Sequence, residues 1–423
     1  MVALGILAAV FAVYGLVANR TERLGLSRPL LFVAAGVLVA ATGAINPLST
    51  GQPASLLLHI SEIALALVLF ADASRVSARQ LRHSVGLPAR LLGPGLLLSI
   101  GLGTLLALWL IGALDGWECA ALAAILAPTD AALGAAVVED PRVPSRIREA
   151  LNVEAGLNDG LAVPFLLLFV AGATVSEGIN PASFWGLTAL HKVGIGAVAG
   201  VVVGLIAGEL VRRARSAGWS TVASEQLAVL GVIVALFAFT EHLGGSGFIA
   251  AFVGGLAAGS RLRNERAAAL EFSDEEGALL AAVVFFVVGL FAFKLFDQIT
   301  WQECLYAVLS LTVVRMLPVA IALLGSGLRA RTVLFMGWFG PRGLASIVLA
   351  LTVFEEDHRL VDVNVIAITT LITVVLSVVA HGVSASILSP RYGAWAAALP
   401  ADAPERISAA SQATSTHGET HPG

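Results

Sequence analysis

The sequence predicts an all-α membrane protein of thirteen transmembrane helices, and three observations carry that prediction. The 423 residues are 57% hydrophobic and only 13% charged, against about 25% charge in soluble domains, and the mean hydropathy is +0.88. Apolar stretches long enough to cross a hydrocarbon core of about 30 Å recur along most of the chain. Basic residues fall almost entirely in every second connection between those stretches. A missed helix would scramble that alternation, so the charge pattern supports the span count itself.

The spans lie near residues 2–18, 29–45, 54–71, 88–112, 117–138, 147–171, 190–211, 225–241, 246–260, 276–296, 302–324, 332–353 and 364–388. Arg20, Arg23 and Arg28 follow the first span, and Arg142, Arg146 and Arg148 follow the fifth. Arg212, Arg213 and Arg215 follow the seventh, and Arg261, Arg263 and Arg266 the ninth. The opposite connections hold only Lys192, Lys294 and Arg359. Basic loops stay in the cytoplasm, so the N-terminus is expected outside and the C-terminus inside, in a multi-pass plasma-membrane protein. Residues 1–395 form the membrane domain. Residues 396–423, rich in Ala, Ser, Thr, Pro and His, read as a disordered cytoplasmic tail.

Ionisable groups inside spans are costly and point to function. At about 1.5 Å per residue, Asp159 sits roughly 16 Å from the arginine-rich end of span six, and Asp130 roughly 18 Å from the other end of span five. Arg315 in span eleven and Arg342 in span twelve reach the same depth. Two aspartates and two arginines at one level make a site that can be nearly neutral. Helix breakers share that depth: Pro128 precedes Thr129 and Asp130, while Gly340, Pro341 and Gly343 surround Arg342. Proline removes a donor and frees a carbonyl, and broken backbone at membrane depth is tolerated only where it lines a cavity or is buried in protein. Asp130 is also a suitable cap for a helix restarting after Pro128. The two breaks fall in the fifth span of each six-span half. Broken helices at matching places in two halves mark a transporter binding site. Spans 1–6 and 8–13 are therefore expected to be inverted repeats joined by span seven, with two broken helices crossing at an ion site.

Other polar residues bear on rival readings. Cys119 and Cys304 form no CxxC pair, so neither a zinc site nor a disulfide framework is suggested. No nucleotide-binding Gly-Lys-Ser/Thr loop is evident, and no cofactor is expected. Glu118, Glu209, Glu225, Glu241 and Glu303 lie at span ends, where charge is cheap, whereas Glu62 and Asp72 lie in span three. Gly244, Gly245, Ser246 and Gly247 fit the GxSG pattern of rhomboid-like intramembrane proteases, with His381 as the base. A nucleophile needs its base within hydrogen-bond reach, however, and these two residues are expected near opposite membrane faces. The many glycines are expected to let helices pack closely.

The segment LAAILAPTDAALGAAVVEDPRVPSRIREALNVEAGLNDGLAVPFLL, residues 122–167, resembles the core of the NhaP-type monovalent cation:proton antiporters, relatives of the eukaryotic sodium/proton exchangers. LFADASRV at 69–76 and GPRGLAS at 340–346 resemble segments of the same family. The resemblance extends over about residues 1–390. It implies exchange of Na+, or of K+ or Li+, for H+ in pH homeostasis by a homodimer in the lipid bilayer, with no nucleic acid partner. It also implies that Asp159 and Asp130 line the ion site and that Thr129 offers a backbone oxygen. Glu154 is implied to pair with Arg315 or Arg342. Asn158 stands where electrogenic relatives carry a second aspartate, Ala155 stands where some members have a serine ligand, and Asp72 matches an acidic residue of span three in some relatives. A desolvated carboxylate can hold a proton or a cation but not both. With Asn158 neutral, exchange is expected to be electroneutral, one cation for one proton.

Overall fold

In a computed structural model, residues 2–23, 26–43, 53–75, 86–176, 185–262, 266–356, 362–400 and 402–406 are described. They are helical throughout, with no strand among the described residues. We number the helices α1 (Val2–Arg23), α2 (Arg28–Ala41), α3 (Pro53–Arg75), α4 (Gly86–Leu110), α5 (Gly116–Ile125) and α6 (Ala131–Val138). Next come α7 (Ser145–Ser176), α8 (Trp185–Ser216), α9 (Val222–His242), α10 (Gly247–Arg261) and α11 (Arg266–Lys294). The last four are α12 (Trp301–Ala322), α13 (Ala330–Trp338), α14 (Leu344–Glu356) and α15 (Val363–Ala397). Seven of them, α4, α7, α8, α9, α11, α12 and α15, contain stretches long and apolar enough to cross a membrane. The expected spans five and twelve are each split into two short helices, α5 with α6 and α13 with α14.

Local chemistry explains where the helices start. Asp115 and Glu118 form a reciprocal capping box at α5, with Glu118 N–H donating to Asp115 at 2.7 Å and Asp115 N–H to Glu118 at 3.0 Å. Glu303 accepts from Thr300 N–H at 2.7 Å at the start of α12. Glu241 accepts from Gly247 N–H at 2.6 Å at the start of α10. Glu209 pairs with Arg212 and Arg213, and Glu225 pairs with Arg215. The carboxylates at span ends thus have structural partners. Such caps satisfy N–H groups that have no partner within the helix.

Glycine sets how closely the scaffold helices approach. Along α8, a Cβ on Gly196, Gly200 or Gly204 would lie 2.6, 2.6 or 2.3 Å from the carbonyl oxygen of Ser246, Ala250 or Gly254 of α10. The same fit joins α2 to α11 through Gly36 and Gly289, where a Cβ would meet Phe286 O at 2.0 Å and Val33 O at 2.1 Å. It also joins α10 to α3 through Gly255 and Gly259. Small residues that allow backbone contact are the usual adhesive between helices in lipid, where no hydrophobic force drives them together. The opposite side of α8 exposes Leu187, Leu190, Val198, Ile206 and Leu210.

Part of the expected tail is folded. After α15 the chain turns back, and Glu405 is fully buried, accepting from Arg329 N–H at 2.8 Å and from the Thr332 hydroxyl at 3.1 Å at the start of α13. Arg146 of α7 donates to Pro404 O at 2.5 Å. Residues 407–423 lie outside the described residues.

Gly204→Ala is expected to destabilise the protein by roughly 1–3 kcal/mol, because its methyl meets backbone that cannot yield. Gly101→Ala, whose Cβ faces open space, should leave the unfolding midpoint in detergent unchanged or slightly raised. Equal midpoints for the two variants would refute the backbone-contact account.

Candidate ion site at the crossing of two broken helices

The two interrupted spans meet at their interruptions. Helix α5 ends at Ile125, and Asp130 in extended backbone caps α6, its Oδ1 accepting from Leu133 N–H at 2.9 Å. Helix α13 ends at Trp338, and α14 begins at Leu344. The backbone between is drawn onto the first break, with Asp130 N–H donating to Pro341 O at 2.8 Å. Asp130 Oδ2 accepts from Leu344 N–H at 2.7 Å, so one carboxylate caps two half-helices. Each N-terminus carries roughly half a positive charge, which a single carboxylate shared between them offsets. A Cβ at Gly343 would fall 1.9 Å from Asp130 Oδ2, so this approach requires glycine.

Arg342 completes the crossing with the opposite sign. Its Nη1 donates to Ala127 O at 2.6 Å and to Pro128 O at 2.9 Å. The Ser346 hydroxyl donates to Ile125 O at 2.7 Å. These carbonyls lie where α5 ends and have no helical continuation, and helix C-termini favour cations. Arg342 is fully buried, and its Nε and Nη2 have no partner among the described residues.

Helix α7 runs past the crossing and brings three predicted residues to it. Glu154 and Arg315 form a bidentate pair at 2.5 and 2.9 Å, both nearly inaccessible. This resolves the two expected pairings of Glu154 in favour of Arg315. Gly340 permits it, since a Cβ there would lie 2.2 Å from Arg315 Nε. One turn on, Asn158 Nδ2 donates to the Thr129 hydroxyl at 2.6 Å, leaving Asn158 Oδ1 buried without a donor among the described residues. Asp159 follows, 7% exposed, with Oδ1 buried and likewise unpartnered. The charges within electrostatic range of Asp159 are Asp130, Asp72 and Arg342. Asp72 of α3 lies 3.9 Å from Arg75 and packs against Gly156 of α7. All the predicted site residues therefore gather at or beside the crossing.

A small cleft reaches the crossing. It is lined by Thr129, Asp130 and Pro341 at the crossing, by Ala155 and Asn152 of α7, and by Val138 at the end of α6. Val138 adjoins the connection that holds Arg142, Arg146 and Arg148. Ala155 presents only a methyl to it.

Sequence reasoning gave Ser346 and Ser377 no role and considered His381 only as the base of a protease. Ser377 and His381 are buried polar residues one turn apart in the apolar α15, and that spacing was their available signal. Ser246, the candidate nucleophile, caps α10 through Ile249 N–H at 3.4 Å, whereas His381 is bonded to Trp338 O at 2.9 Å. Neither is available to the other.

Two discontinuous helices crossing on compensating charges, inside an apolar helical bundle, are the architecture of a membrane carrier. The family described as "Sodium/hydrogen exchanger, transmembrane" matches residues 6–389, and the chain belongs to it. It is 26% identical over 337 residues to the K(+)/H(+) antiporter NhaP of Alkalimonas amylolytica, covering 78% of this chain and 57% of that protein. It is 26% identical over 342 residues to the K(+)/H(+) antiporter NhaP2 of Shewanella oneidensis, covering 80% and 58%. The chain thus spans little more than half the length of these relatives. Its fold is similar to that of the sodium proton antiporter MjNhaP1 from Methanocaldococcus jannaschii, with a TM-score of 0.70 at 20% identity, covering 90% of this chain and 99% of that one.

Removing one member of a buried ion pair strands the other. Glu154→Ala is therefore expected to cost about 3–5 kcal/mol, and Glu154→Leu with Arg315→Met much less. Thermal unfolding in detergent checks this. A double variant less stable than Glu154→Ala would contradict it.

Proposed function

We propose that the chain is a secondary antiporter exchanging a monovalent cation, Na+ in the first instance, for H+ through competition at Asp159. The observation that carries this reading is the Asp159 carboxylate: buried beside the helix crossing, with one oxygen lacking any donor. Asn158 Oδ1, also without a donor, adds a neutral oxygen beside it. A hard cation stripped of water seeks such oxygens, and a proton on the carboxylate supplies the same charge compensation. Asp130 adds a second negative charge and its remaining lone pairs where the cleft meets the crossing. Thr129 contributes oxygen, Glu154, Arg315 and Arg342 hold the frame, and Pro128 and Pro341 keep the spans broken. An empty, charged carboxylate is costly to carry through a dry barrier, and that cost couples the two flows.

Because Asn158 is neutral, one cation replaces one proton, and turnover moves no net charge. In this reading the chain crosses the membrane thirteen times as inverted repeats of spans 1–6 and 8–13, with the arginine-rich connections in the cytoplasm. The N-terminus is then outside and the tail beyond residue 395 inside. The cleft is an inward-facing access path. The protein sits in the plasma membrane as a homodimer in lipid.

K+ is the second reading. It is favoured by the names of the two NhaP relatives and by Ala155, which presents a methyl where a serine would offer a hydroxyl to the more tightly hydrated Na+.

In everted vesicles, wild-type protein is expected to dissipate a proton gradient on addition of Na+ or K+, and Asp159→Asn to lose at least 99% of that rate. Full activity of Asp159→Asn would end the proposal. In proteoliposomes, turnover should be indifferent to an imposed membrane potential, and strong dependence on it would exclude one-for-one exchange. Ala155→Ser should lower the Na+ concentration for half-maximal exchange several-fold relative to that for K+. An unchanged ratio would show that this position takes no part in ion choice.

A further inference from the structure

The second break is spliced by side chains. Trp338 C=O and Arg342 N–H are four residues apart, the pair that would form one rung if α13 continued as a helix. They do not bond to each other. Arg342 N–H donates to the Ser377 hydroxyl at 2.7 Å, and that oxygen lies 3.2 Å from His381 Nδ1. His381 Nε2 lies 2.9 Å from Trp338 O. Ser377 and His381 are themselves one turn apart on α15, so a rung missing from one helix is replaced by a relay mounted on another. With Nε2–H donating to Trp338 O, Nδ1 accepts from the Ser377 hydroxyl. Further contacts converge on the break: Gly340 N–H donates to Trp338 O at 2.8 Å, and Trp338 Nε1 donates to the Ser384 hydroxyl at 2.9 Å. Ser377 is fully buried and His381 nearly so. At this depth an unbonded backbone group is costly, and side chains are the usual means of satisfying it.

The first break depends on the second. Asp130 N–H rests on Pro341 O, Asp130 Oδ2 on Leu344 N–H, and the carbonyls at the end of α5 on Arg342 and Ser346. Whatever fixes the backbone of residues 339–343 therefore fixes Thr129 and Asp130 as well. We propose that Ser377 and His381 are positioning residues for cation exchange, which hold the α13–α14 break in the geometry that sets the ion site. They touch no ion. They act through Arg342, Pro341 and Leu344 on Asp130.

The transport part of this inference rests on the exchange reading above, whereas the structural part does not, and the experiment separates them. Ser377→Ala, His381→Ala and His381→Gln are compared with wild type and with Thr373→Ala. Thr373 is a buried hydroxyl one turn away that bonds only its own helix, to Thr369 O at 2.7 Å. Hydrogen–deuterium exchange of residues 339–344 is expected to quicken at least ten-fold in Ser377→Ala and to stay unchanged in Thr373→Ala. Half-maximal exchange should require at least five-fold more Na+ or K+ in Ser377→Ala and His381→Ala, at equal amounts of folded protein. His381→Gln should recover most of that loss, because its amide can donate to Trp338 O and accept from the Ser377 hydroxyl. Should His381→Ala not fold, Ser377→Ala against Thr373→Ala decides alone. The proposal is overturned if amide exchange is unchanged in Ser377→Ala, or if half-saturation stays within two-fold of wild type while only protein yield or maximal rate falls. It is also overturned if His381→Gln is no better than His381→Ala. Absence of any cation-driven proton flux in wild type would sink the exchange reading and leave the amide-exchange result to judge the relay.

Discussion

The shared carboxylate of Asp130 is the constraint on which the membrane interior of this protein depends. Two helices stop and restart within an apolar bundle, which leaves donors and acceptors where no water is at hand. Asp130 takes N–H groups from both restarting helices, while Arg342 and Ser346 take the carbonyls of the one that stops. The crossing is thereby close to neutral and bonded internally. Without that balance, the broken backbone would be a liability of several kcal/mol per unsatisfied group.

This arrangement divides the work between two neighbouring aspartates. The donors around Asp130 are built into the fold, so its charge belongs to the frame. Asp159 Oδ1 has no such donor among the described residues, and the proposed exchange rests on that difference. Glu154 and Arg315 compensate each other one turn away, and the neutral Asn158 bonds to Thr129 rather than to an ion pair. One carboxylate oxygen without a donor among several compensated charges is the electrostatic pattern on which the proposed one-for-one exchange depends.

The scaffold and the crossing are held by different kinds of contact. Helices α2, α3, α8, α10 and α11 meet backbone to backbone through glycine, leaving no room for even a methyl group. Where α7 meets this scaffold, the contacts are side chains on glycine, Phe252 on Gly160 and Asp72 on Gly156. Backbone seams have no rotamers to adjust, whereas side-chain contacts can be remade. A carrier that alternates access needs one body of each kind.

Composition and periodicity alone determined the helical class and singled out the charges that the fold buries. The energetic cost of a charge or a proline in lipid is so large that few placements survive it. The Pro128 and Pro341 breaks, the polar residues around them and the gathering of Asp159, Asn158 and Arg342 were legible for that reason. Tertiary structure decided which groups meet. The choice of Arg315 over Arg342 as partner of Glu154, the double capping by Asp130, the burial of Glu405 under α13 and the relay of Ser377 and His381 depend on crossings between helices far apart in the chain. Hydrogen bonds act over about 3 Å, and residue type and spacing along a single helix contain no information at that range about a neighbour two hundred residues away.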